Sequence, residues 1–232
     1  IQAGAFAATR FCEKVGGAEV VIYVRPQVGW LNSAWWRWGA WSKYGFDDWH
    51  KFHLNSLNWS ARAREWSALP GVARVTVRLA TRDVVADFAS VLGVPPLAAE
   101  RANVSLDGAV LRLFQHARDL RPGAQSSAID FAIGRSIERS SRPPVPWVIP
   151  PGEVEALIQR YARGNKALAA MLDEESRAEF LADPHWWDPA AYADRTLESS
   201  ESQPLSAEAL RDLAADAIRA VAKLDAELRR KG

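Results

Sequence analysis

At 232 residues and 48% apolar composition, the chain is long enough to bury a sizeable core and too apolar to be disordered. A formal charge of +1, carried on the positive side mainly by arginine, offers no basic face for nucleic acid, and a single cysteine, Cys12, excludes an internal disulfide framework and suits a reducing cytoplasm. No apolar run approaches the roughly 18 residues that a membrane span requires and no signal peptide opens the chain, so a soluble, cytoplasmic protein is expected.

Residues 5–15 predict a helix with Phe6, Phe11 and Val15 toward one side, stopped by Gly16-Gly17. Residues 19–25 are too continuously apolar for a half-exposed strand, which predicts burial on both faces of a parallel sheet. The run ends in Arg25, and Ser33 follows eight residues later in the first turn of a helix expected over residues 32–41. Residues 46–69, rich in tryptophan and bounded by Gly45 and Pro70, predict one or two more helices. Residues 72–80 alternate as a second strand, with Val75, Val77 and Leu79 on one face and Arg74, Thr76 and Arg78 on the other. Residues 83–92 place Val84, Val85, Phe88 and Leu92 on one helical face that Gly93 ends. Helix, strand, helix, strand, helix is the order of crossover units in a parallel sheet, so the first half reads as α/β.

Strand signals stop after Leu97. Residues 105–120 predict a helix with Ser105 as N-cap and Asp107 in the first turn. Residues 121–151, dense in proline, predict a wrapping segment with a short helix near 129–138. Residues 153–171 read as helix, 180–192 as an irregular docking tail around Trp186-Trp187, and 194–204 as a polar, mobile stretch. The last helix, residues 206–230, spaces Leu210, Ala214, Ala217, Val221, Leu224 and Leu228 by fours and threes. That stripe must pack on its own subunit or form a homodimer contact, and the spacing allows both. The expected organisation is an α/β core portion over 1–120, a wrapping loop and helices of the same domain over 121–192, and a linker with the C-terminal amphipathic helix over 193–232.

Chemistry narrows quickly. A Gly-rich phosphate loop of the GxxxxGK[ST] kind, GxGxxG, HExxH and a metal-spaced Cys/His cluster are all missing from the sequence. What remains is the segment from Arg25 to Ser33. An arginine at the carboxyl end of a buried parallel strand and a serine at a helix start can converge on one anion, because ligands sit at that edge of an open sheet. The plainer reading pairs Arg25 with a surface carboxylate and leaves Ser33 as an ordinary helix residue.

An apolar strand followed by Arg25, a proline within two residues and Ser33 eight residues on resembles the 3′-phosphate-binding element of sulfotransferases that use 3′-phosphoadenosine 5′-phosphosulfate (PAPS). The strand 75–80, the helix 83–92 ending in Leu92-Gly93, then Arg101-Ala102-Asn103-Val104-Ser105 and residues 161–168 with Asn165 follow the order of bacterial members related to capsule and polysaccharide sulfation. The resemblance spans residues 15–180. It implies a parallel-sheet, P-loop-like sulfotransferase core, incomplete at the N-terminus, with a helical C-terminal extension. It further implies PAPS as donor, a glycan or other hydroxyl acceptor, no metal, and Arg25 and Ser33 on the 3′-phosphate. Two departures stand out: the usual Arg-Asn/Asp-Pro is here Arg25-Pro26-Gln27, and the phosphate-sulfate loop with its catalytic lysine has no counterpart. The chain starts at Ile1 and its one methionine is Met171, so that loop is expected upstream in a longer natural chain. Without the loop's strand, residues 19–25 lose a neighbour, which calls for an upstream segment or a partner chain to cover the gap.

Eight tryptophans between Trp30 and Trp66 crowd the region that would face the acceptor. Indole faces stack on sugar rings, and they equally fill cores. Trp35 and Trp36 cannot both point inward on a one-sided helix, so one or two exposed indoles are expected, and this pair is the substrate-binding candidate. His50 and His53, with Asp47 and Asp48 nearby, are candidate general bases for an acceptor hydroxyl, against the simpler reading of surface or half-buried histidines. His116 and His185 offer less. The alternative function is a non-catalytic glycan-binding or scaffold protein that keeps the fold.

Overall fold

In the computed structural model, the described residues are 3–80, 83–95, 106–126 and 128–231, with the side chains of Gly134, Arg135 and Lys231 excepted. The segment Arg101 to Ser105, with its expected N-cap, lies outside them. In chain order the elements are α1 (Ala3–Ala7), α2 (Phe11–Lys14), β1 (Ala18–Val24), α3 (Gln27–Arg37), α4 (Phe46–His53), α5 (Trp59–Ser67), β2 (Val72–Leu79) and α6 (Val84–Leu92). Then come α7 (Gly108–His116), α8 (Ala128–Ser136), α9 (Pro151–Ala169), α10 (Glu174–Ala182) and α11 (Ala207–Lys231), with short 3₁₀ turns between. The protein is α/β, mostly helical, with a small parallel sheet. Among the described residues no helix is long and apolar enough to cross a membrane.

The chain folds into two compact units, one of Ile1–Leu31, Lys51–Pro96 and Ile149–Arg195, the other of Asn32–His50, Leu97–Val148 and Thr196–Gly232. The first is built on the sheet. β1 and β2 pair in parallel, with Ile22 opposite Val77, Tyr23 opposite Arg78 and Val24 opposite Leu79. Val24, Val77 and Leu79 are buried with Ala63 of α5, Leu168 of α9, Phe180 of α10 and Trp186. Burying each large side chain contributes about 1.5–3 kcal/mol, so this cluster at the carboxyl half of the strands anchors the unit. The expected burial of both faces holds there only. Val20, Val21 and Ile22 are half-buried, because β1 and β2 are the only strands among the described residues and each keeps one unpaired edge.

Three local readings change. The helix expected over 5–15 breaks at Arg10, which sits in the left-handed region at φ 51°, after the Thr9 hydroxyl donates to the Phe6 carbonyl at 2.7 Å. Such a side-chain bond competes with the helical ladder. Asp107, expected in the first turn of its helix, is instead the N-cap of α7 and accepts the Ala109 and Val110 N–H groups. In α6 the predicted apolar face turns outward at Val85, Phe88 and Leu92, and Ala89 faces in.

The second unit packs around α7, whose Phe114 is fully buried with the Trp41 ring edge-on at 6.2 Å. The proline-rich segment does wrap: Asn32 donates to the Pro146 carbonyl at 3.2 Å and accepts the Val148 N–H at 2.9 Å. The polar stretch 194–204, expected to be mobile, is tied to α7 instead. Arg112 donates to the Ser199 and Glu201 carbonyls at 2.8 Å each, and Gln115 donates to the Ser200 carbonyl at 3.0 Å. A polar segment can be fixed when one helix supplies donors for its carbonyls, which composition alone does not reveal.

Candidate anion-binding site at the end of β1

β1 ends at Val24, whose carbonyl accepts the Ala80 N–H at 2.7 Å, and the Pro26 carbonyl accepts the Trp30 N–H at 3.0 Å to open α3. Proline suits this junction because its missing N–H falls where helix donors are unsatisfied anyway. Arg25 therefore stands between strand and helix at the carboxyl edge of the parallel pair, where open α/β sheets bind ligands. Its carbonyl accepts the Trp59 indole N–H at 2.9 Å.

The Arg25 side chain is half-buried, and burial lowers its pKa from the ordinary arginine value. No carboxylate among the described residues pairs with it. A guanidinium drawn out of water without a counter-ion is electrostatically unanswered, since buried charges are ordinarily paired. The plainer reading, a strand-end arginine on a surface carboxylate, is therefore not what the described residues provide.

Side-chain bonds from other elements hold the junction. Gln27, the first residue of α3, is buried and exchanges amide hydrogen bonds with Asn165 of α9, its Nε2 donating at 2.6 Å and the Asn165 Nδ2 returning one at 3.3 Å. Asn165 also donates to the Trp186 carbonyl at 3.4 Å, and Trp30 meets Trp59 edge-on at 5.8 Å. The sequence shows Gln27, Trp30, Asn165 and Trp186 as separate features, and nothing in their spacing joins them at this junction. A polar residue directly after a strand-ending Arg-Pro was the signal for Gln27.

Ser33 is placed differently from expectation. Because α3 starts at Gln27, Ser33 is its seventh residue, roughly 9 Å along the helix from the first, and not in the first turn. It is exposed, and it belongs to the second unit while Arg25 belongs to the first. Gly29, a poor helix former, hid the true start.

Trp35 and Trp36 are both buried, at 3% exposure each, so neither presents a face to a sugar. Trp35 lies edge-on to Phe46 and Trp49, and Trp36 donates to the Pro146 carbonyl at 2.7 Å beneath the Arg112 guanidinium. The expectation that one of them stands outside fails because α3 is enclosed on more than one side. Gly39 shows how tightly: a Cβ there would fall 2.2 Å from the Trp35 ring and 2.7 Å from that of Trp49. Trp38 is the exposed indole of this helix region, at 38%.

His50 is buried, stacked on Phe46, with its Nδ1 3.1 Å from the Phe46 carbonyl. That is a helical core histidine. His53, the last residue of α4, is half-buried, and burial lowers its pKa.

A second polar cluster lies beside the sheet. Tyr23 donates to Asp87 at 2.5 Å, and Arg78, its neighbour across the ladder, donates to Asp87 and to Asp173 at 2.9 Å. Burial and Asp87 push the Tyr23 phenol up to about 12, and the Arg78 hydrogen bond holds Asp87 below the usual carboxylate range. The adjoining cavity of about 230 Å³ adds Glu175 and Glu179, so four carboxylates face one guanidinium. Such a cavity repels anions, which separates it from the Arg25 junction. Among the described residues no group of three His, Cys, Asp or Glu could hold a metal ion.

No protein-family model, curated protein or solved structure matches the chain.

Proposed function

We propose that this chain carries the 3′-phosphate arm of a P-loop-like, PAPS-dependent sulfotransferase core, and that Arg25 is the group that holds the nucleotide's 3′-phosphate. The observation that carries this reading is the half-buried guanidinium at the carboxyl end of a parallel strand, which no carboxylate among the described residues pairs. Arginine suits the task because its planar fork can donate two charge-assisted hydrogen bonds to one phosphate. The resemblance also names Ser33 for the 3′-phosphate, but Ser33 is an exposed residue of α3 in the other unit, and the reading rests on Arg25 alone. Among the described residues β1 keeps one unpaired edge, which leaves room for a further strand beside it.

The reaction in this reading is in-line transfer of a sulfuryl group from PAPS to a hydroxyl, with a glycan as acceptor in a bacterial cytoplasm. The sulfur–oxygen bond to the nucleotide phosphate breaks as a bond to the acceptor oxygen forms, and the acceptor proton passes to a base. Of the two histidine candidates, His53 suits the base: burial favours its neutral, proton-accepting form, whereas His50 is enclosed against Phe46. The alternative, a glycan-binding or scaffold protein, would rest on Trp38, the exposed indole, since Trp35 and Trp36 are buried.

Equilibrium dialysis of the full chain with adenosine 3′,5′-bisphosphate tests the proposal. Binding is expected, with Arg25→Ala weakening it more than tenfold, a loss above about 1.4 kcal/mol, and Arg25→Lys intermediate. Absence of binding, or equal affinity in the Arg25→Ala protein, overturns it.

A further inference from the structure

α11 presents two faces. One holds it to its own unit, with Asp216 and Ala220 buried and Asp216 paired to Arg139 at 2.5 Å. The other lies about 100° around the helix and carries Leu210, Ala214, Ala217, Val221, Leu224 and Leu228. Their spacing alternates between four and three, the pattern of a heptad seam. The seam is turned to solvent: Val221 is 67% exposed, Leu228 71% and the flanking Ile218 70%. A continuous apolar stripe of this length calls for a facing helix.

The spacing also determines which facing helix fits. In an antiparallel pair, each position on one side of the seam meets the opposite kind on the other helix. With Leu210 set against Leu228 of a second copy, Ala214 falls opposite Leu224 and Ala217 opposite Val221. Every alanine then meets a larger side chain. A parallel copy would stack Ala214 on Ala214 and Ala217 on Ala217, leaving two adjacent under-filled layers.

Charge makes the same choice. Arg211, Ile218 and Asp225 occupy the same flanking position in successive heptads. The antiparallel register places Arg211 opposite Asp225 of the second copy, twice over, and brings Ile218 against its own counterpart at the two-fold axis. A parallel register sets Ile218 against Leu213 and Asp225 against Ala220, with no opposite charges joined. Arg211 has no ion-pair partner among the described residues, and Asp225 has the exposed Arg229 one turn on at 2.9 Å.

We infer that α11 is one half of a two-fold antiparallel helix pair, and that the chain forms a homodimer through it. This stands independently of any nucleotide site. Sedimentation equilibrium of the full chain is expected to show a dimer at micromolar concentration, and Leu224→Glu a monomer with unchanged far-ultraviolet circular dichroism. Arg211→Asp and Asp225→Arg should each weaken the dimer at least tenfold, and the double variant should restore it. In a Cys12→Ser background, Ile218→Cys should form an intersubunit disulfide faster than Val221→Cys; the reverse order marks a parallel pair and overturns the register. A wild-type monomer at high concentration, a dimer that survives Leu224→Glu, or a double variant as weak as the singles also overturns the inference.

Discussion

Arg25 carries more of the functional reading than any other side chain because it is a cation drawn from water with no carboxylate among the described residues to answer it. The contrast with Arg78 is instructive. Both lie toward the carboxyl half of the sheet, yet Arg78 is held by Asp87 and Asp173 and so is occupied structurally. His53 adds a pH-dependent prediction. Burial lowers its folded pKa below the unfolded value of about 6.5, so the unfolded chain binds the proton more readily. Its contribution leaves stability unaffected above that value and reduces it as pH falls toward the folded pKa. Urea unfolding at pH 7.5 and 5.5 should show a smaller loss for His53→Gln than for wild type; an identical loss would remove His53 as a neutral, half-buried base.

Among the elements, the sequence was most legible where periodicity and burial agree. The strands at 19–25 and 72–80 are found as β1 and β2, in parallel, because an unbroken apolar run and a clean alternation both match the pleat. Helix ends were less legible. Gly29 concealed the start of α3, and the Thr9 hydroxyl broke the first helix, both being local effects that apolar spacing does not register. The tethered stretch 198–201 was misread because its partners, Arg112 and Gln115, lie more than 80 residues away in sequence. Gly71 offers a test of how the elements press together. It enters β2 at φ +79°, and an added Cβ would sit 2.5 Å from the carbonyl carbon of Cys12 and the backbone nitrogen of Glu13. Gly71→Ala combines left-handed strain with backbone overlap, so thermal unfolding should show a loss of at least about 2 kcal/mol. A loss under about 0.5 kcal/mol, the size of an ordinary surface change, would mean that α2 does not press on this turn.

For the molecule as a whole, the described residues form one two-stranded sheet, with Val20, Val21 and Ile22 half-buried, and it belongs to the first unit. The α/β class was readable from the order of elements. The junction at Arg25 was readable as a place for an anion, but its supports were not, because Gln27, Asn165 and Trp59 come from α3, α9 and α5 and meet only after folding. Trp38 is exposed, as one or two indoles were expected to be; the expectation fails only for the pair Trp35 and Trp36, because α3 is enclosed on several sides, which no single-helix pattern can show.

If Arg25 recognises a 3′-phosphate, that group alone should separate two otherwise similar nucleotides. Isothermal titration of the full chain with adenosine 3′,5′-bisphosphate and with adenosine 5′-monophosphate, on wild type and Arg25→Ala, reads this out. A wild-type preference of at least tenfold for the bisphosphate is expected, disappearing in Arg25→Ala, with affinity for the monophosphate unchanged between the two proteins. A wild type that binds the two nucleotides equally, or a preference that survives Arg25→Ala, contradicts the assignment of Arg25 to the 3′-phosphate.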